Sequence, residues 1–375
     1  MENWMKILDR YIINEMLGPF LFGVATFTVL FFAGGQLYVI TRMIAESKTS
    51  LNTAMVYMVN SLPAILVFTF PMAVLLAALL AFGRLSGESE LIAIKAGGTG
   101  FLRVASPAII LSFFIAFVAL YINNNLAPNS TYTAQNILID QFTKNDEHIS
   151  ENMIIKDTQE GMERTIFSRR FIPRESRMED VTIQYFKDGH RVREVFANKV
   201  FYRSDDGKWY LKEAYITDFN KEQEPQYFSS NKEIYLPLDK NPSQLAQQRS
   251  RRPEEMDRKM LKDQLVQMEK DGFGSDEDLR RFNEYEVYYH QKIAIPFTCF
   301  VFGLFGVPLG VRPQRTSKAL GLGISIIFIF VYYVLMSMGM AFGRKGDVDP
   351  FIAAWIPNIL FGIAGVVLIA RQARQ

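Results

Sequence analysis

Between Ala54 and Phe82 the chain carries no charged side chain. A run of that length exceeds the roughly 20 residues an α-helix needs to cross a bilayer core. Five further runs, nearly free of charge, cover roughly Leu17 to Thr41, Phe101 to Ile122, Val287 to Val311, Ala319 to Phe342 and Phe351 to Ala370. Hydrocarbon offers no hydrogen-bond partner to exposed backbone, so such runs must be helices. The hydrophobic fraction of 49% is only slightly above that of a soluble protein, because the apolar residues are concentrated rather than plentiful. The expectation is a polytopic α-helical membrane protein with six transmembrane helices, three on each side of a polar insertion at residues 124–286. The first run is too long for the apolar part of a cleavable signal and reads as a retained span.

Orientation follows from the cations in the short loops. Lys6, Arg10, Arg84, Lys95, Arg103, Arg312, Arg315, Lys318, Arg371 and Arg374 flank one side, against Arg42, Lys48, Arg344 and Lys345 on the other. Both termini are therefore expected in the cytoplasm and residues 124–286 outside. From Met153 to about Leu238 the insertion is rich in β-branched and aromatic residues, as in "VTIQYF" (181–186), "REVFANKVFY" (193–202), "KWYLKEAYITDF" (208–219) and "EIYLPL" (233–238). "KDGH" (187–190) and "SDDGK" (204–208) supply turn residues. The expected organisation is three spans in 1–123, a periplasmic β-jellyroll-like domain in 124–250, a charged helical connector in 251–286 and three spans in 287–375. A helix starting near Ser275 should run into the fourth span.

Several function classes are disfavoured. A net charge of +2 gives no electrostatic footprint for nucleic acid. Cys299 is the single cysteine, and His148, His190 and His290 are not at metal-ligand spacing, so no metal or catalytic site is expected. The sequence has no G-x-x-x-x-G-K-[ST] loop, so ATP hydrolysis by that route would need a separate subunit. The spans hold few ionisable groups, against an ion-coupled carrier. Seven prolines lie in or beside the spans and permit kinks, and "GVPLG" places Gly306 and Gly310 four apart for close helix contact.

The loop between spans two and three, "GRLSGESELIAIKAGGTG" (83–100), reads as a self-contained cytoplasmic surface helix over 87–96. Ser86 is its expected N-cap, Glu88 and Glu90 fall in the first turn, Lys95 in the last, and Gly97 ends it. Leu91 and Ile94 form an apolar strip with Glu90 at its edge, while Ser89, Ala93 and Ala96 form a small-residue side. Such a helix either merely links two spans or docks in a groove of a cytoplasmic partner through Glu90, Glu88, Leu91 and Ile94. A chain with no motor of its own would suit an ATPase in that role. The rival is a non-transporting membrane sensor or scaffold with an extracytoplasmic ligand-binding β domain.

The chain resembles the lipopolysaccharide export permeases of the LptF/LptG type (YjgP/YjgQ family). The likeness runs through "LDRYIINEMLGPFLFG", "FPMAVLLAALLAFGRLSGESELIAIKAGG", "YHQKIAIPFTCFVFGLFGVPLG" and "WIPN" (355–358), in order and spacing. It implies one subunit of an ABC-type transporter of the bacterial inner membrane, serving outer-membrane biogenesis. Implied partners are a second permease subunit (LptF/LptG-type, or a homodimer), an LptB-type ATPase dimer holding ATP and Mg, and LptC-type and LptA-type bridge proteins. Implied too is lateral entry of lipopolysaccharide beside span one and its ATP-driven delivery through the β-jellyroll to a periplasmic bridge. By the same resemblance the helix after span two is the coupling helix, with Glu90 as its ATPase-contacting acid. Arg42, near the outer end of span one, becomes the candidate for lipid-phosphate binding, whereas Gly34, Gly35 and Gln36 stand near where some relatives carry further basic residues. No cofactor is expected in this chain itself.

Overall fold

In a computed structural model of the chain, residues 7–374 are described, apart from 46–48, 144–149, 160–161, 173–174, 188–189, 204, 221–223, 239–240, 243–244, 246–250, 274–275 and 312–317. Lys6, Lys48, Arg312 and Arg315 of the charge count, His148, and Ser275 as the expected helix start lie outside the described residues. The chain forms two compact units, one of Met1–Thr41, Asn52–Ala134 and Arg251–Gln375, the other of Arg42–Leu51 and Gln135–Ser250.

Six helical stretches are long and apolar enough to cross a membrane. Helix α1 (Ile7–Phe31) passes through a π-helical turn (Phe32–Gln36) into α2 (Leu37–Ala45). Helix α3 is Leu51–Gly87, α4 is Glu90–Ala96, and α5 is Phe101–Tyr121. A second π-helical turn (Ile122–Leu126) carries α5 on into α6 (Ala127–Thr143). After the insertion come a 3-10 turn (Pro253–Glu255), α7 (Arg258–Asp271), α8 (Asp276–Gly310), α9 (Lys318–Lys345) and α10 (Pro350–Arg374). The third span therefore outruns its expected end near Ile122, and residues 124–143 are helical. The asparagines at 123–125 read as an exit from the helix, yet Asn124 Nδ2 donates back to the Leu120 carbonyl at 3.2 Å, within the helix.

The membrane-spanning unit packs around α3. A Cβ on Gly306 would sit 2.9 Å from Ala78 Cβ, and one on Gly310 would sit 2.8 Å from Phe82 Cβ and 2.9 Å from the Ala78 carbonyl oxygen. The small-residue spacing in "GVPLG" thus lets the backbone of α8 lie directly on α3, the close approach that van der Waals packing in lipid requires. Edge-to-face aromatic pairs join α8 to α9 and α10, with Phe302–Tyr332 centroids at 4.9 Å and Phe305–Phe361 at 5.0 Å. A buried polar knot crosses the same three helices. The Thr298 and Tyr332 hydroxyls are 2.6 Å apart, and the Asn358 amide of "WIPN" donates to the Ala294 carbonyl at 2.7 Å. Proline removes the hydrogen bond to the carbonyl four residues earlier. For Pro296 that carbonyl belongs to Lys292, and Asn123 Nδ2 donates to it at 2.9 Å.

The inserted unit holds six antiparallel strands in sequential order: β1 Ser150–Gln159, β2 Met162–Ile172, β3 Arg177–Lys187, β4 His190–Arg203, β5 Lys208–Phe219 and β6 Pro225–Leu236. The β region expected from Met153 to about Leu238 is present, with β1 starting slightly earlier, at Ser150. The sheet is not flat. Phe171 on β2 and Trp209 on β5 have ring centroids 6.3 Å apart, although three strand spacings, about 14 Å in a flat sheet, separate their strands. The bend has a visible origin. The buried side chains change parity along each of β2 to β5: Arg164, Ile166 and Ser168 but then Phe171, Met178 but then Val181, Ala197 but then Val200, and Leu211 but then Ala214. The pairing skips one position at each of these places, and Asp180 and Glu213 there adopt positive φ, 50° and 55°. These aligned irregularities crease the sheet, so that both wings turn their apolar faces into one core with Trp209, Phe171 and Ile166 fully buried.

Gly310→Leu should destabilise the purified protein by about 1–3 kcal/mol or prevent its accumulation, since two backbones must part. Gly362→Leu, where a Cβ meets nothing within 4 Å, should leave the melting temperature near wild type. Glu213→Gly should raise the stability of the β unit by up to about 1 kcal/mol, because glycine adopts positive φ without the Cβ clash. Thermal unfolding followed by circular dichroism reads all three.

Candidate functional site

Helix α4 is shorter than the sequence suggested and starts differently. Ser86 is still inside α3, so it does not cap α4. The chain turns at Ser89, which has φ 63° and makes no side-chain capping bond, and α4 begins at Glu90. Glu88 consequently lies in the turn before the helix. At the other end Gly98, at φ 85°, follows Gly97 out of the helix.

What holds this short helix is a charge network centred on Arg84, in the last turn of α3. Arg84 Nε donates to Glu15 Oε1 on α1 at 2.5 Å, and Nη2 donates to the Tyr11 hydroxyl at 2.7 Å. Nη1 donates to Glu88 at 2.7 Å and to Glu90 at 3.3 Å. The Tyr11 hydroxyl in turn donates to the other Glu90 oxygen. Nearby, Arg103 at the start of α5 donates from Nη2 to Asp9 on α1 at 2.8 Å. The first turns of α1 thereby clasp the end of α3, the start of α4 and the start of α5. A guanidinium suits this task because its planar fork reaches several acceptors at once, which an ammonium does not.

The faces of α4 are settled by the same packing. Leu91, 3% exposed, is buried in the membrane unit's core with Ile12, Met16 and Phe82, and Ile94 packs half-buried against it. The expectation that Leu91 and Ile94 lie open to a partner is therefore revised: in an apolar helical bundle the strip that looks like a docking ridge is the one that seats the helix. The open surface consists of Ile92, 56% exposed, with Ala93, Ala96 and Glu88. One guanidinium stands among three carboxylates, Glu15, Glu88 and Glu90, so the base of α4 is locally acidic even though this end of the molecule is otherwise rich in cations. An exposed aliphatic side chain on a smooth, acid-rimmed helix is suited to a groove lined by apolar and basic groups.

Arg42 is elsewhere. It sits exposed in the last turn of α2, in the stretch assigned to the second compact unit. The sequence reading gave Arg84 only a part in the orientation count and missed Tyr11, Glu15 and Asp9. The available signal was three polar or acidic residues at the start of an apolar helix, but their partners lie 69 to 94 residues away along the chain.

A bundle of six apolar helices, an inserted antiparallel β domain and a braced helix between spans two and three define a polytopic membrane protein. Residues 10–371 match the family described as Lipopolysaccharide export system permease LptF/LptG, and the chain belongs to that family. Comparison with curated proteins returned no match. Membership favours a transporter role over the sensor or scaffold alternative.

Arg84→Met should release α4 from α1. The network is partly exposed, so the loss is about 1 kcal/mol and shrinks as salt is raised. Hydrogen exchange of the α4 amides should accelerate accordingly, and Arg84→Lys should restore the protection only in part.

Proposed function

We propose that this chain is one permease half of an ATP-driven exporter that extracts lipopolysaccharide from the bacterial inner membrane and passes it through the β domain to a periplasmic bridge. The observation that carries the reading is α4: a short helix between two spans, seated by Leu91, braced by Arg84, and presenting Ile92, Ala93 and Ala96 outward. In this reading both termini are cytoplasmic and the β domain is periplasmic. An LptB-type ATPase dimer, which holds ATP and Mg, docks on α4. A second LptF/LptG-type subunit, or a second copy of this chain, completes the membrane pair, and LptC-type and LptA-type proteins continue the path outward.

The roles divide as follows. Glu88, the most exposed of the three acids, and Glu90, whose oxygens also accept from Arg84 and Tyr11, meet basic groups of the ATPase. Leu91 and Ile94 contribute by holding the helix in place. Because α1 is tied to α4 through Tyr11, Glu15 and Arg84, a push on α4 reaches span one directly. Arg42, in the helix that continues span one, offers a guanidinium to a lipid phosphate.

Ile92→Asp should abolish co-purification of the ATPase while leaving the fold intact, since the Ile92 side chain is mostly exposed. Glu90→Ala should weaken ATPase association by about tenfold, the loss of one charge-assisted bond. Unimpaired association and ATP-driven lipid release in both variants would remove α4 from the coupling role. A photo-crosslinker replacing Arg42 should trap lipopolysaccharide in an active complex, and its failure to do so would remove Arg42 from the lipid path.

A further inference from the structure

Span one is tightly packed in its first part and loosely packed beyond it. In α1, Ile12, Met16, Phe20 and Phe27 are buried, and a Cβ on Gly23 would sit 3.1 Å from the Cα and Cβ of Ala73 on α3. The first turns of α1 are also held by the ion pairs of Glu15 with Arg84 and of Asp9 with Arg103. In the π-helical turn Phe32–Gln36 no residue is buried, and in α2 only Met43 is. Leu37 and Tyr38, which follow the turn directly, are 54% and 70% exposed.

The turn contains Gly34 and Gly35, and packing does not explain them. A Cβ on either would meet nothing within 4 Å, and neither has a positive φ. In this they differ from Gly23, Gly306 and Gly310, which admit a neighbouring helix. Adjacent glycines weaken a helix, because each has more conformational freedom to lose than any other residue. A π-helical turn is a defect in the same hydrogen-bond ladder, and helices bend at such turns. Both features fall within five residues, at the border between packed and loosely packed helix. Hinges are built this way, from a few residues that absorb a backbone change between a fixed part and a free part. Among the described residues, one side-chain hydrogen bond ties the turn to another helix: the hydroxyl of Tyr57, buried on α3, donates to Gln36 Oε1. Hydrocarbon offers Gln36 no competing partner.

We propose that the π-helical turn of span one is a hinge about which the outer arm, Leu37–Ala45, moves on a fixed inner helix, with the Tyr57–Gln36 bond as the latch of its resting position. In the resting position the helix runs through the turn and Gln36 is bonded to Tyr57. In the moved position that bond is broken and Gly34 and Gly35 leave the helical conformation. Arg42 rides on the arm. The inner helix, held at its start by Arg84 and Arg103, does not have to follow. The inference rests on span one and α3 alone, so it stands or falls separately from the docking of a partner on α4.

Double electron–electron resonance on the full-length protein in detergent, in a Cys299→Ala background, tests this. One nitroxide replaces Leu360, on the exposed face of α10, and the other replaces either Tyr38 on the arm or Leu21 on the inner helix, both exposed. Dilution with unlabelled protein removes distances between copies. The Leu21–Leu360 pair should give one narrow distance and the Tyr38–Leu360 pair two. Tyr57→Phe should shift the ratio of those two about fivefold, the loss of one hydrogen bond. Gly34→Ala with Gly35→Ala, added to Tyr57→Phe, should shift it back by about tenfold, since alanine holds the helix. Phenylalanine keeps the ring at 57 and the alanines enter open space, so both variants should fold. Equally narrow distances for the two pairs in Tyr57→Phe overturn the proposal, as does a Leu21 distance as broad as that of Tyr38. A ratio that ignores either Tyr57→Phe or the alanine pair overturns it too, because the motion is then not latched or not centred on this turn.

Discussion

Backbone polar groups find no partner in hydrocarbon, and most of this molecule is arranged around that fact. Each spanning segment is a helix, and the interruption at Pro296 is answered locally. Where Pro296 removes a bond, the freed Lys292 carbonyl takes one from Asn123. Where Asn124 introduces a polar side chain, it bonds back into its own helix. The same constraint places the Thr298–Tyr332–Asn358 knot inside the bundle, where each member satisfies another.

With backbone polarity contained, contact between helices becomes a matter of how closely their axes can approach. Gly306 and Gly310 bring α8 onto α3, Gly339 and Gly343 bring α9 onto Ala353 of α10, and large aromatic rings fill the wider gaps. Charge is largely kept out of this interior, Lys292 being buried there, and gathers at its end. There Arg84 and Arg103 join α1 to α3, α4 and α5 through acids on α1. In the proposed reading, the bundle and the ionic clasp together give a mechanical route from α4 to α1. Flexible loops in the same places would absorb such a push.

The β unit solves a different problem by a related device. A single antiparallel meander has two faces and can bury only one against itself if it bends. Aligned skips in the pairing, with Asp180 and Glu213 at positive φ, supply the bend and turn both wings inward. Strict alternation would have placed Phe171 and Ile166 on opposite faces; the crease places both in the core.

The sequence alone determined the six spans, the inserted β region, the close-packing role of Gly306 and Gly310 and the existence of a short helix after span two. These follow from run length, composition and local capping chemistry, which act over a few residues. Tertiary structure alone decided which side of α4 is free, because Leu91 and Ile94 look like a docking ridge until α1 and α3 are seen to cover them. It decided that Arg84 is a hub, since its partners Tyr11 and Glu15 are 73 and 69 residues away. It decided the crease, which needs strands in register. Long-range juxtaposition of this kind leaves no periodic trace in a single sequence, because the residues share a place in space and not a spacing along the chain.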